Sequence, residues 1–304
     1  MELSCREIIH NLEEYIKDRA KILSKDGVKP RLVDIIFGNQ DAHKKYIAIK
    51  KRTAEQLGIS FKAIVIERIP TFENLARILK ELSNDPDNHA IIIQRPLPSQ
   101  LQTDSLYKYI SIEKEIEGHK PKSTFHAPLG LSILNIIKYM YRESEGLDDI
   151  IFDAPHDIPY LRKALKHKRI ILLGRGSTAG QPIGKTFTDL KVNYLNINST
   201  TFNSTQYFSE ADIIICAVGK KVIKSQDLSP GVALINVGHH YEHGVLKGDY
   251  SVTDVKEKAS YYTPIVGGAG KIDVLYLLKN TVDAAWMQHH GKKTNSNNRT
   301  NSHR

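Results

Sequence analysis

The sequence predicts an α/β fold in two domains: an N-terminal α/β substrate domain (residues 1–128), a Rossmann-like domain (129–273), and a C-terminal helix (274–288) that returns to the first. Three observations carry this. Short apolar runs alternate with helical stripes through both halves, which implies parallel sheets joined by crossover helices. A glycine-rich turn, Gly174-Arg175-Gly176-Ser177-Thr178-Ala179-Gly180, opens the second half. The 304 residues suffice for two modest domains.

Ile8, Leu12, Ile16 and Ala20 recur at helical spacing. "RLVDIIFG" is a short apolar run closed by glycine, hence a strand. Residues 43–57 form a helix stopped by Gly58. "FKAIVIERI" is the second strand, and Thr71 caps the helix "FENLARILKELSN". "HAIIIQRPLP" is the third strand, ended by Pro96 and Pro98. A helix follows Pro128. Residues 145–168 have no clear period at first and then turn basic, so they read as a connection or insertion. "RIILLG", "KVNYLNI", "ADIIICAVG" and "VALINVG" are the strands of the second domain. "KIDVLYLLKNTVDAAWMQHH" carries a helical stripe. Residues 289–304, polar and basic, read as a disordered tail.

Composition excludes several classes. With 40% apolar and 25% charged residues the chain resembles ordinary soluble proteins. The first twenty residues lack the apolar core of a secretory signal, and the apolar runs are too short to span a bilayer. Cys5 and Cys216 show neither C-x-x-C nor metal-ligand spacing, so a reducing cytoplasm and no metal are expected. Apart from the basic tail, the net charge of +9 is scattered, without the basic block of a nucleic-acid binder. It suits anionic small molecules such as a phosphorylated cofactor.

The strand "RIILLG" running into glycines, with a helix expected after Pro182, is the strongest local signal. Glycines let the backbone approach a pyrophosphate, and a helix N-terminus favours its charge. The spacing is G-x-G-x-x-x-G rather than G-x-G-x-x-G. At the end of the next strand, where an acid would bind a ribose 2′-hydroxyl, stand Asn198-Ser199-Thr200-Thr201. With no acid there and Arg175 inside the glycine turn, NADP is expected over NAD.

Tyr46 and Lys50 form a Tyr-x-x-x-Lys on one helical face. In short-chain dehydrogenases that motif follows the glycine turn; here it precedes Gly174 in a separate α/β domain. The order argues against that group, and for a substrate domain followed by a cofactor domain.

The chain resembles the bifunctional methylenetetrahydrofolate dehydrogenase/methenyltetrahydrofolate cyclohydrolase family up to about residue 288. Six segments match in order: "YIAIKKRTAEQLGI", "IIQRPLP", "KEIEG", "GRGSTAGQP", "ADIIICAVG" with "PGVALINVG", and "TPIVGGAG". The resemblance implies a cleft that holds tetrahydrofolate against the nicotinamide of NADP. One step passes a hydride from the methylene bridge to NADP; the next adds water to the methenyl carbon and opens the ring. It makes Lys50 the key catalytic group, since an amine in a partly dry cleft serves in proton transfer. Tyr46 would line the same site and Gln94 would orient Lys50. Pro96 and Leu97 would shape the pterin pocket, and Glu117 would grip its amino-pyrimidine edge. Gly174, Arg175, Gly176 and Ser177 would hold phosphates and ribose, with Ser199 and Thr200 beside the adenosine ribose. Gly219, Gly238 and His239 would lie along the nicotinamide half. Pro264, Gly267 and Gly268 would close over both ligands. By analogy alone, a homodimer through the cofactor domain is expected.

Several positions depart from the family. Glu117 replaces Asp, Arg95 replaces an apolar residue, and Gly176 replaces Ser. Phe125-His126-Ala127-Pro128 stands for Pro-Cys-Thr-Pro, Lys271-Ile272-Asp273 for Pro-Met-Thr, and Thr200 for a basic residue. Two rivals remain open at this point. One is a degenerate paralogue that binds folate or NADP without turnover; the other is an NADP-dependent oxidoreductase with another substrate. His239, His240 and His243 lack a carboxylate or cysteine to complete a metal set. Cys216 reads as inert core.

Overall fold

The computed structural model describes residues 1–38, 41–145 and 149–300, of which 41–46, 143–145 and 292–300 are described by their backbone alone. The chain divides into two compact units: Leu12–His126 with Leu277 onward, and Met1–Asn11 with Ala127–Tyr276.

The first helix is α1 (Arg6–Lys25). It is followed by β1 (Arg31–Phe37), α2 (Asp41–Gln56), β2 (Ser60–Ile66), α3 (Phe72–Asn84) and β3 (Ala90–Ile93). The three strands form a parallel sheet in the order β2-β1-β3. β1 is its centre, which is why its run is apolar on both faces; Val33, Ile35 and Phe37 pack with Leu75, Leu79, Ile91 and Ile93. The expected cap of α3 is present: Thr71 Oγ1 accepts from the Asn74 N–H at 3.3 Å.

The other unit holds α4 (Pro128–Glu145), α5 (Ala154–Ala164), β4 (Ile170–Leu173), α6 (Gly180–Asp189), β5 (Leu195–Ile197), α7 (Ser204–Ser209), β6 (Ile213–Cys216) and β7 (Ala233–Asn236). Then come β8 (His239–Glu242), β9 (Val245–Gly248), α8 (Val252–Val255), β10 (Tyr261–Tyr262) and α9 (Ala269–Thr300). Its parallel sheet has the order β10-β7-β6-β4-β5, and β8 pairs with β9 as an antiparallel hairpin. Cys216 is fully buried, and burial pushes its thiol well above the usual range.

Several expectations need correction. The region 145–168 contains helix α5, held by a buried ion pair between Lys138 and Asp157 at 2.7 Å; 146–148 lie outside the described residues. α6 begins at Gly180 rather than after Pro182. By their contacts, Met1–Asn11 pack with Ala127–Tyr276 in one compact unit. The Leu3 N–H donates to the Tyr262 carbonyl at 2.9 Å, which extends the sheet edge at β10. Helix α9 runs well past 288. His289, assigned to the tail, bonds Asp26 at 2.9 Å, and His290 stacks on Trp286. The return of this helix is as expected: Asn280 donates to the carbonyls of Ile116 and His126, and Gln288 to that of His89.

Candidate active site

Lys50 lies on α2, the crossover between β1 and β2, and faces the sheet with 2% of its surface exposed. Its Nζ donates to Asp34 and, at 2.6 Å, to Gln94 Oε1. Asp34 is wholly buried in β1; Gln94 follows β3, and its N–H donates to the Ile35 carbonyl at 2.8 Å. That ladder bond sets the two acceptors on neighbouring strands. The Gln94 amide donates in turn to the Arg95 carbonyl at 3.0 Å, which fixes the face it turns to Lys50. A buried ammonium requires such partners, since an unpaired charge in a core is costly. The Tyr46 side chain lies outside the described residues.

A contiguous string of contacts leads from Gln94 to Glu117. Arg95 donates to the Tyr107 hydroxyl at 3.3 Å and to Asp104 at 3.1 Å. Tyr107 stacks on His119 with ring centroids 3.9 Å apart, and His119 Nε2 is 3.7 Å from Glu117 Oε2. Burial raises the Tyr107 hydroxyl, the Glu117 charge adds to this, and Arg95 opposes it. Glu115 organises the turn: its carboxylate accepts from the N–H groups of Glu117 at 2.9 Å and Lys120 at 3.1 Å. Burial raises its pKa. Leu97 packs on the core of this unit, while Pro96 is exposed.

In the five-stranded unit the glycine turn is built closely. A Cβ on Gly174 (φ +110°) would stand 2.3 Å from the Ala217 carbonyl oxygen, and one on Gly180 2.3 Å from that of Gly174. At Gly176 nothing lies within 4 Å, so this departure from serine has no steric cause. Arg175 Nε donates to Asn196 Oδ1 at 2.8 Å, and Asn196 donates back to the Gly174 carbonyl at 2.9 Å, tying the turn to β5. Ser177 is half-buried; Ser199 and Thr200 are exposed on the turn after β5, where Asn198 Oδ1 accepts from the Thr200 N–H.

Asp249 links Gly219 and Gly238. It accepts from the Val218 and Gly219 N–H groups at 2.7 and 2.9 Å, and a Cβ on Gly238 would collide with it. Burial raises its pKa, against the lowering effect of those bonds. His239 is exposed at the start of β8. Gly268 follows the same close-packing rule: a Cβ there would lie 2.1 Å from the Pro264 carbonyl oxygen, and Gly267 has φ +76°. Thus Lys50, Gln94 and Glu117 belong to one unit, and Pro264, Gly267, Gly268 and all the cofactor candidates to the other. Among the described residues, no group of three His, Cys, Asp or Glu side chains could hold a metal ion. No helix among them is long and apolar enough to cross a membrane.

Sequence reasoning passed over Asp34, Tyr107, His119 and Asp249. The available signal for Asp34 was a single carboxylate inside the otherwise apolar strand "RLVDIIF".

A buried amine held by Asp34 and Gln94 in one α/β unit and a dinucleotide-type glycine turn in another mark the class: a two-unit α/β protein of the kind that pairs a substrate unit with a nucleotide unit. Residues 3–117 match the family model for the catalytic domain of tetrahydrofolate dehydrogenase/cyclohydrolase, and 158–289 match that family's NAD(P)-binding domain. The bifunctional protein FolD of Bacillus subtilis is 30% identical over 286 residues, covering 92% of this chain and 95% of the relative. That of Bacillus licheniformis is 32% identical over 269 residues, covering 86% and 89%. The crystal structure of the FolD methylenetetrahydrofolate dehydrogenase/cyclohydrolase from Campylobacter jejuni shares the fold, with a TM-score of 0.79 at 24% identity over 94% of this chain and 98% of that one. The chain belongs to the tetrahydrofolate dehydrogenase/cyclohydrolase family. Its activity lies in one-carbon folate metabolism.

Proposed function

We propose that the chain oxidises 5,10-methylenetetrahydrofolate with NADP and hydrolyses the resulting 5,10-methenyltetrahydrofolate to 10-formyltetrahydrofolate, with Lys50 moving the proton in the second step. The observation that carries this is the Lys50 ammonium, buried and held by Asp34 and Gln94. Hydrolysis adds water to the methenyl carbon and then breaks a ring C–N bond. The oxygen must shed protons and the departing nitrogen must gain one. An ammonium has three donors. The bonds to Asp34 and Gln94 fix where the nitrogen stands, as a proton-transfer group requires. Tyr46, one turn earlier on α2, is proposed to line the same site.

Glu117 is proposed to bind the amino-pyrimidine edge of the folate, with the neighbouring His119 and the capped turn at Glu115 in support. Pro96 and Leu97 would flank the pterin. Pro264, Gly267 and Gly268 are proposed folate contacts on a turn whose tight backbone demands glycine at 268.

The glycine turn fits a dinucleotide, because Gly174 and Gly180 leave no room for a Cβ beside the helix N-terminus. Bound NADP would supply the hydride acceptor. Gly174, Arg175, Gly176 and Ser177 would hold its phosphates, and Gly219, Gly238 and His239 its nicotinamide half. Arg175, bonded to Asn196 of β5, favours a 2′-phosphate; NAD is the lesser alternative. A cytoplasmic homodimer acting on folates, without nucleic acid or membrane, completes the proposal.

A coupled assay tests it. Methylenetetrahydrofolate is supplied with NADP or NAD, and reduced nucleotide and methenyltetrahydrofolate are followed separately. Nucleotide reduction without methenyl build-up supports both activities. Absence of both reactions refutes the proposal and favours a binding protein without turnover.

A further inference from the structure

We infer that Asp34 is a positioning residue for the hydrolytic half-reaction, acting through Lys50; the inference rests on the function proposed above. Asp34 is wholly buried in the central strand. Its ladder neighbours are Ala63 on β2 and Ile92 on β3, and its chain neighbours are Val33 and Ile35. A carboxylate in such surroundings is costly, and an apolar residue would serve the sheet at least as well. What the carboxylate adds is an acceptor on the central strand of the sheet, bonded to the Lys50 ammonium.

The second acceptor, Gln94 Oε1, is carried by a residue whose N–H bonds the carbonyl of Ile35, next to Asp34. Two acceptors from adjoining backbone positions therefore hold one nitrogen. Asp34 adds to the Gln94 bond a second, charged anchor for the flexible lysine stem. With Asp34 the ammonium is fixed in direction and carries its counter-charge with it. Asp34 from β1 and Gln94 from the end of β3 face the ammonium; on its own helix Tyr46 stands one turn earlier.

The test is Asp34→Asn, with cyclohydrolase and dehydrogenase kcat and KM measured on the same preparation. The cyclohydrolase kcat is expected to fall by roughly tenfold to a hundredfold, the cost of a misplaced catalytic group. Its KM and the dehydrogenase kcat should stay within about threefold, since neither depends on aiming the Lys50 proton. A fall of both activities in equal proportion, as from a misfolded fraction, overturns the inference, as does no fall at all. Should the variant not fold, nitrogen-15 NMR of lysine side chains in the unaltered protein decides. A lysine Nζ resonance that correlates with an aspartate carboxylate carbon and disappears in Lys50→Met is expected. Its absence overturns the pairing. An unaltered protein that catalyses neither reaction removes the proposed function itself, and this inference with it.

Discussion

Replacing Gly180 with alanine isolates what the glycine turn contributes. The added Cβ would stand 2.3 Å from the Gly174 carbonyl oxygen, 2.7 Å from its carbon and 3.0 Å from the Arg175 nitrogen. All three are backbone atoms, so no flexible side chain can yield. Restoring ordinary contact requires the turn at Gly174 and Arg175 to retreat by about 1 Å. Alanine is the better helix former by roughly 0.5–1 kcal/mol, which partly offsets the cost to the fold. It does nothing for ligand geometry. A displacement of about 1 Å in a positioning element costs on the order of a hundredfold in rate, close to 2.7 kcal/mol. kcat/KM for NADP in the dehydrogenase reaction should therefore fall by ten- to a hundredfold, with a matching loss of NADP affinity in a fluorescence titration. Hydrolysis of supplied methenyltetrahydrofolate uses no nucleotide and should stay within about twofold. NADP affinity unchanged within twofold, in a variant that folds normally, would refute the claim that this turn holds the phosphates.

Lys50→Met should abolish cyclohydrolase turnover; because it leaves Asp34 buried without its ammonium, urea unfolding should also show a loss of roughly 3–5 kcal/mol. Asp34→Asn added to that variant should recover part of the loss. Arg175→Ala should cut the preference for NADP over NAD by about 1–3 kcal/mol, read as the ratio of kcat/KM values, if the guanidinium meets a 2′-phosphate. Glu7 accepts from the Tyr139 hydroxyl at 2.6 Å and pairs with Arg142 at 3.1 Å. The hydroxyl bond is the largest cause of its lowered pKa, with Arg142 adding to it against burial. A lowered folded-state value stabilises the fold above the unfolded value, and that contribution is lost as pH falls through the folded one. Glu7→Gln should thus cost under about 1 kcal/mol at neutral pH, discounted for exposure, and nothing in strong acid.

What could be read from the sequence follows from what each feature rests on. Strands β1, β3, β4, β6 and β7 are legible because strands in parallel sheets are apolar on both faces. Lys50 and Gln94 were reachable through the segments that carry the family resemblance. Asp34 was not, because a single polar letter in an apolar run does not reveal a partner sixteen residues away on the next helix. Helix α5 was hidden by its chemistry: Asp157, wholly buried, points inward where an apolar residue would mark a stripe, and Pro159 lies inside the helix. The β8–β9 hairpin was obscured by its histidines, which drew attention as metal ligands. Its turn signal was His243-Gly244, both at positive φ (50° and 77°), as a two-residue hairpin loop demands.

Neither unit is an unbroken stretch of chain, and this orders events on the ribosome. The three-stranded unit is begun at Leu12 but needs the chain beyond Leu277, whose Asn280 satisfies the carbonyls of Ile116 and His126. The five-stranded unit, from Met1–Asn11 and Ala127–Tyr276, is fully synthesised first. Synthesis proceeds from the N-terminus, so the unit that carries Lys50 starts earlier and closes later. A nascent chain halted at Tyr276 would hold a complete nucleotide-type sheet beside an unfinished catalytic one.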